Sequence, residues 1–115
     1  MNEGQIQRAV MQNLWLRPAP NVSAFHVPNG GWRSPIEAKI LKGQGVVSGV
    51  PDIFIVANGR PFALEIKTET GRLSPVQRTA HVLLEAAGVE VATAYGLDQA
   101  IAQLEQWDLL KGKTQ

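Results

Sequence analysis

Asp52, Glu65 and Lys67 are the residues of this chain whose types and spacing suggest chemistry. The runs Val50-Pro51-Asp52-Ile53-Phe54-Ile55-Val56 and Pro61-Phe62-Ala63-Leu64-Glu65-Ile66-Lys67 flank Ala57-Asn58-Gly59-Arg60. Asn and Gly accept the positive φ of a tight turn, so the stretch reads as a β-hairpin. A two-residue turn pairs Ala57 with Arg60, and the same register sets Ile55 opposite Phe62, Ile53 opposite Leu64 and Asp52 opposite Glu65. A symmetric four-residue loop preserves that register; a three-residue loop shifts it by one and sends the carboxylates to opposite faces. Directly opposed, the two side chains have Cβ atoms about 5 Å apart and repel each other. A divalent cation with oxygen ligands offsets that repulsion. Lys67 lies two residues past Glu65 and shares its face, while Phe62, Leu64 and Ile66 face the other way as core. The alternative is a solvated strand face with a Glu–Lys pair, but partly buried carboxylates opposed without a partner are costly.

The elements that must position this hairpin follow from periodicity and capping. Glu3 to Leu16 reads as a helix with Ile6, Ala9, Val10 and Leu14 on one side. Glu3 sits at the edge of that side, either as an acid favoured by the helix dipole or leaning toward a cation site. Pro18 and Pro20 end the helix, and Val22 to Val27 reads as a short strand containing His26. A lone His there suits a hydrogen bond or a substrate contact better than metal ligation. Pro28-Asn29-Gly30-Gly31-Trp32-Arg33 reads as a flexible loop whose Trp32 and Arg33 suit a base and a phosphate, with core packing as the other fate for Trp32. Ser34-Pro35-Ile36-Glu37 has capping-box spacing and starts a short helix to Lys42, with Gly43 as its stop. Lys39 and Lys42 lie one turn apart, as a solvated face or as phosphate contacts. Gly43 to Gly49 carries three glycines without the Lys-Ser/Thr ending of a P-loop, and reads as a close-approach segment beside the site.

Beyond the hairpin, Ser74-Pro75-Val76-Gln77 starts a helix through Ala87 with Val76, Ala80, Leu83, Leu84 and Ala87 as its expected buried stripe, stopped by Gly88. Arg72 and Arg78 flank its start, where phosphate oxygens suit them. Val89 to Tyr95 reads as a strand, which a right-handed crossover lays parallel to Ala63–Lys67. Asp98 is the expected N-cap of a last helix to Trp107 with the stripe Ala100, Ile101, Leu104 and Trp107; Lys111 to Gln115 reads as a frayed tail. The order helix, strand, short helix, hairpin, helix, strand, helix makes an α/β domain with a mixed β-sheet flanked by helices, and residues 1–115 suit one domain.

Pro51-Asp52 followed by Glu65-Ile66-Lys67 resembles the PD-(D/E)xK nuclease signature. With Gly49-Val50-Pro51-Asp52 before one strand, Glu65-Ile66-Lys67-Thr68 closing the next and Gly71-Arg72-Leu73-Ser74-Pro75-Val76-Gln77 leading into a helix, the chain resembles the virus-type replication-repair nuclease (VRR-NUC) domain from about Glu3 to Trp107. The resemblance implies a restriction-endonuclease-like core. It implies metal-dependent hydrolysis of DNA phosphodiesters, with Mg²⁺ or Mn²⁺ on Asp52, Glu65 and the carbonyl of Ile66, and Glu3 as the one evident extra ligand. Lys67 would hold the attacking water or the developing charge. A Gln at the position of Gln77 faces the catalytic site in that family, whereas the capping-box spacing gives it a helix-capping role. Arg33, Lys39, Lys42, Arg72, Arg78 and Trp32 are the candidate DNA contacts. Single-domain members act as dimers on four-way junctions, so branched DNA such as a Holliday junction, in repair, and a homodimer are expected here. A non-specific or flap-directed nuclease and a catalytically silent DNA-binding module are the alternatives.

Composition agrees with a polyanionic substrate. The 44% hydrophobic residues suffice for a core, and there is no cysteine for a disulfide or thiolate site. That suits a reducing compartment, and no apolar run of membrane-spanning length or basic-then-apolar leader is evident; a cytoplasmic place in a bacterial or phage-infected cell is expected. Net charge is only +1, but residues 1–78 carry nine Lys/Arg against five Asp/Glu, and residues 79–115 two against five. The basic part contains the candidate site, and the acidic part suits a face turned from the substrate.

Overall fold

The computed structural model describes residues 1–28 and 32–112; Asn29, Gly30 and Gly31 of the glycine-rich loop lie outside the described residues. In chain order the elements are α1 (Glu3–Leu16), β1 (Val22–His26), α2 (Pro35–Gly43), β2 (Ile53–Ala57), β3 (Arg60–Lys67), α3 (Pro75–Ala86), β4 (Glu90–Tyr95) and α4 (Leu97–Gln106). The four strands form one mixed sheet in the order β1-β2-β3-β4. β2 and β3 make the hairpin, with Asn58 at φ 52° and Gly59 at φ 78°. Both turn residues are thus left-handed, the twist that two antiparallel strands need. Ala57 pairs with Arg60, Ile55 with Phe62 and Ile53 with Leu64, as the Asn-Gly pair dictates. β4 runs parallel to β3, with Glu65 beside Thr93 and Lys67 beside Tyr95; α3 supplies the crossover.

The two faces of the sheet differ in chemistry. Ile53, Ile55, Phe62, Leu64 and Ile66 join Ile6, Val10, Met11 and Leu14 of α1 and Ala100 and Leu104 of α4 in the apolar core. Trp107 closes that core, its ring 5.0 Å from Phe62. The other face of β3 presents Ala63, Glu65 and Lys67, all buried. The chain covers this face with α3, and the helix turns its more polar side inward to do so. Ala80 and His81 are buried, whereas Val76 is 53% and Leu83 63% exposed. Of the expected stripe Ala80 is buried and Leu84 half-buried, but Val76, Leu83 and Ala87 are exposed, so the helix is rotated from the expected face. Glu65 and Lys67 call for hydrogen-bonding partners, which an apolar stripe would not supply.

The capping logic holds at three helix starts and shifts at the fourth. Asn2 and Gln5 form a reciprocal capping box on α1, Ser34 accepts from Glu37 N on α2, and Ser74 with Gln77 forms the box on α3. At α4 the N-cap position is Gly96, at φ 94°, and no side chain caps it; Asp98 sits in the first turn. The Gly96 N–H instead donates to the Lys67 carbonyl (2.8 Å), tying the start of α4 to the end of β3. Of the expected frayed tail, Lys111 and Gly112 are anchored, and Lys113, Thr114 and Gln115 lie outside the described residues. Leu109 and Leu110 are buried, Leu110 bridges to Pro18, and Arg17 donates to the carbonyls of Lys111 and Gly112. Among the described residues, no helix is long and apolar enough to cross a membrane.

Candidate active site

Asp52 lies just before β2, and its backbone is fixed first. Its carbonyl accepts from Val27 N (2.7 Å) and is bonded to His26 Nδ1 (2.8 Å), so the imidazole of His26 braces the loop. The Asp52 side chain reaches across the hairpin, where Oδ2 accepts from Ile66 N at 2.7 Å. That bond holds the carboxylate beside Glu65, as the register requires.

Glu65 is 1% exposed and Lys67 8%. Glu65 Oε1 is 3.0 Å from Nε2 of His81, itself 6% exposed. Burial is the main force on the Glu65 carboxyl. A hydrogen bond with Asp52 and the Asp52 charge add to it, Lys67 opposes it, and Glu3 contributes least; together they push its pKa up to about 9. Burial is also the main influence holding His81 below the usual histidine range; the Lys67 charge acts in the same direction, while Glu85 and Asp52 oppose it. At neutral pH and without a cation, the Glu65–His81 contact is thus a hydrogen bond between neutral groups rather than an ion pair.

The Asp52–Glu65 pair fits a hard divalent cation. A cation beside the two carboxyls would take the place of the Glu65 proton and restore its negative charge, and oxygen donors are the ligands such ions take. Among the described residues no group of three or more His, Asp and Glu side chains is gathered to hold an ion. The two carboxyls are the side chains gathered here, a small set that suits an ion keeping several waters. Glu3, at the exposed start of α1, bears on this set only through its charge.

The fold is matched by known structures. No family model and no curated protein matches the chain. A solved structure described as a "VRR_NUC domain protein" superposes with a TM-score of 0.76 at 24% identity, covering 93% of this chain and 88% of that one. A second, described as a "VRR_NUC domain", gives 0.61 at 18% identity over 90% and 94%. The chain has the VRR-NUC fold.

Around this VRR-NUC scaffold the remaining candidate residues separate into groups. Gln77 performs the capping role: its Oε1 accepts from Ser74 N at 2.9 Å. It stands one turn before His81, on the side of α3 that faces the sheet. Arg33 and Lys42 line one cleft of about 490 Å³ between α2 and the segment after it. Lys39, Arg72 and Arg78 are exposed, and Trp32 is 86% exposed rather than packed on the core. Of the three glycines from Gly43 to Gly49, Gly49 makes the close approach: an added Cβ would lie 2.6 Å from Val76 O. It approaches the first turn of α3, not the solvent side. His81 is the residue that sequence reasoning missed. The available signal was its four-residue spacing from Gln77, which puts both on one helix face.

Proposed function

We propose that this chain is a VRR-NUC nuclease, a divalent-metal-dependent endonuclease that hydrolyses DNA phosphodiesters. The observation that carries this reading is the half-buried Asp52 beside the buried Glu65, with Lys67 on the same face and Glu65 holding a proton that a cation would displace. Asp52, Glu65 and the Ile66 carbonyl would hold Mg²⁺ or Mn²⁺, with Glu3 adding charge nearby. When bound, such an ion supplies Lewis acidity, lowering the pKa of a water and neutralising charge on the phosphate. Lys67, whose charge is felt at both Glu65 and His81, orients the attacking water and stabilises charge developing on the phosphate. Gln77 orders the first turn of α3 and leaves its amide nitrogen for water or phosphate. Arg33, Lys39, Lys42, Arg72 and Arg78 anchor the DNA backbone, and Trp32 offers a stacking face.

These contacts read phosphate and shape rather than base edges, which supports selection by DNA structure. Branched DNA such as a four-way junction, in repair, is the proposed substrate. A homodimer would supply two sites for two strands, and β1 is a sheet edge available for pairing. The proposed compartment is the cytoplasm.

The test is cleavage of a four-way junction, a flap and linear duplex in Mg²⁺ and in Mn²⁺, beside gel shifts in EDTA and sedimentation at micromolar protein. Cleavage that needs the ion and that Asp52→Asn abolishes supports the nuclease. Ion-independent DNA binding without cleavage of any substrate points instead to a silent binding module. A monomeric mass with equal cutting of linear duplex refutes the junction and dimer assignments.

A further inference from the structure

We infer that His81 is the positioning residue that orients Glu65 for the divalent cation, by donating Nε2–H to Oε1. The inference rests on the nuclease reading of the site and assigns a role to a residue outside the Asp-Glu-Lys set.

Glu65 has two oxygens and two distinct neighbours. Oε1 meets His81 Nε2 at 3.0 Å, and the carboxyl also hydrogen-bonds Asp52, which is fixed in turn by Ile66 N. The carboxyl therefore spans from His81 on α3 to Asp52 on the loop before β2. On a strand face a glutamate retains rotatable bonds that would let the carboxyl swing. Here the carboxyl is held from the helix above at Oε1, which limits that swing. Among the described residues no other side chain of α3 holds Glu65: Gln77 spends its oxygen on Ser74 N, and Glu85, exposed on the next turn, repels rather than holds a carboxylate.

The tautomer follows from the donor inventory. A Glu65 carboxylate that ligates a cation offers only acceptors, so the 3.0 Å contact requires His81 to carry its proton on Nε2, and no transfer to or from His81 is involved. Outer hydrogen-bond partners of metal-binding carboxylates typically contribute about 10–100-fold in metal affinity.

The experiment is calorimetric titration of Mn²⁺ into the DNA-free protein: wild type, Asp52→Asn, His81→Leu and His81→Gln. Leu fills similar space without a donor, and Gln retains an N–H donor. His81→Leu is expected to weaken Mn²⁺ binding about 10–100-fold, and His81→Gln to recover most of that loss. Nitrogen-15 NMR of the wild-type imidazole with diamagnetic Mg²⁺ in place of Mn²⁺ should show the Nε2–H tautomer. Wild-type affinity in folded His81→Leu, or an Nδ1–H tautomer, overturns the inference. If His81→Leu fails to fold, His81→Ala with added imidazole takes its place: recovery of Mn²⁺ affinity supports the role, and none overturns it. The underlying reading fails separately, and the inference with it, if wild type binds no Mn²⁺ or if Asp52→Asn binds it normally.

Discussion

Replacing Glu65 with Gln should stabilise the ion-free protein, and increasingly so as pH rises. Glutamine has nearly the shape of a protonated glutamic acid: its oxygen can accept from His81 and its amide can donate to Asp52. In the unfolded chain Glu65 titrates near 4.5, whereas in the fold it holds its proton up to about pH 9. Between those values the folded state binds one more proton than the unfolded state, so stability falls with rising pH. The slope is about 1.4 kcal/mol per pH unit, hence at most about 4 kcal/mol from pH 5 to pH 8. Below the unfolded value both states are protonated and the penalty vanishes. Glutamine has no such dependence. With a urea slope near 2 kcal/mol per molar, the midpoint of Glu65→Gln should gain up to about 2 M on wild type over that range. The assay is urea unfolding of both proteins in EDTA at pH 5 and pH 8. Millimolar Mn²⁺ at pH 8 should then raise the wild-type midpoint and leave that of Glu65→Gln nearly unchanged. A gap between the two proteins that is constant from pH 5 to pH 8 in EDTA would refute the reasoning, because Glu65 would then be ionised in the fold.

Other outcomes are equally specific. Asp52→Asn should abolish cleavage while DNA affinity holds or rises, since it removes both a ligand and a charge that repels phosphate; gel shifts beside a cleavage assay check this. Lys67→Ala should lower turnover about 10²-fold or more with only a small loss of DNA affinity, measured as kcat against Kd; an affinity loss matching the whole rate loss would make it a phosphate anchor. Ser74→Ala removes the reciprocal cap at the start of α3 and should cost about 1 kcal/mol in thermal or urea unfolding. Leu104→Ala opens a cavity where α4 meets the sheet and should cost about 2–5 kcal/mol in the same measurement.

The hairpin was the most legible part of the sequence. Asn58-Gly59 admits one turn geometry that fits two antiparallel strands, and that geometry fixes which residues face each other. The meeting of Asp52 with Glu65 followed without further information. What periodicity misread was α3, because a hydrophobic stripe identifies the inward side only when the surface beneath is apolar. Here that surface carries Glu65 and Lys67, so Ala80 and His81 turn inward, leaving Val76 and Leu83 to solvent. The Asp98 cap failed for a related reason: Gly96, whose N–H is held by the Lys67 carbonyl, takes the N-cap position, and the helix starts at Leu97. The buried Leu109 and Leu110 were hidden behind a polar ending that resembled a loose tail.

Gly49 shows how far a site's demands can extend from its reacting atoms. It holds a left-handed φ of 83°, and a methyl group there would stand 2.6 Å from Val76 O and 2.9 Å from Gln77 N. Any side chain would push the first turn of α3 away from the sheet, carrying Gln77 and His81 with it. In a saturation-mutagenesis map, position 49 should therefore appear as intolerant as Asp52, although it offers no functional group. What is selected at that position is empty space, and a search for catalytic side chains alone would pass over it.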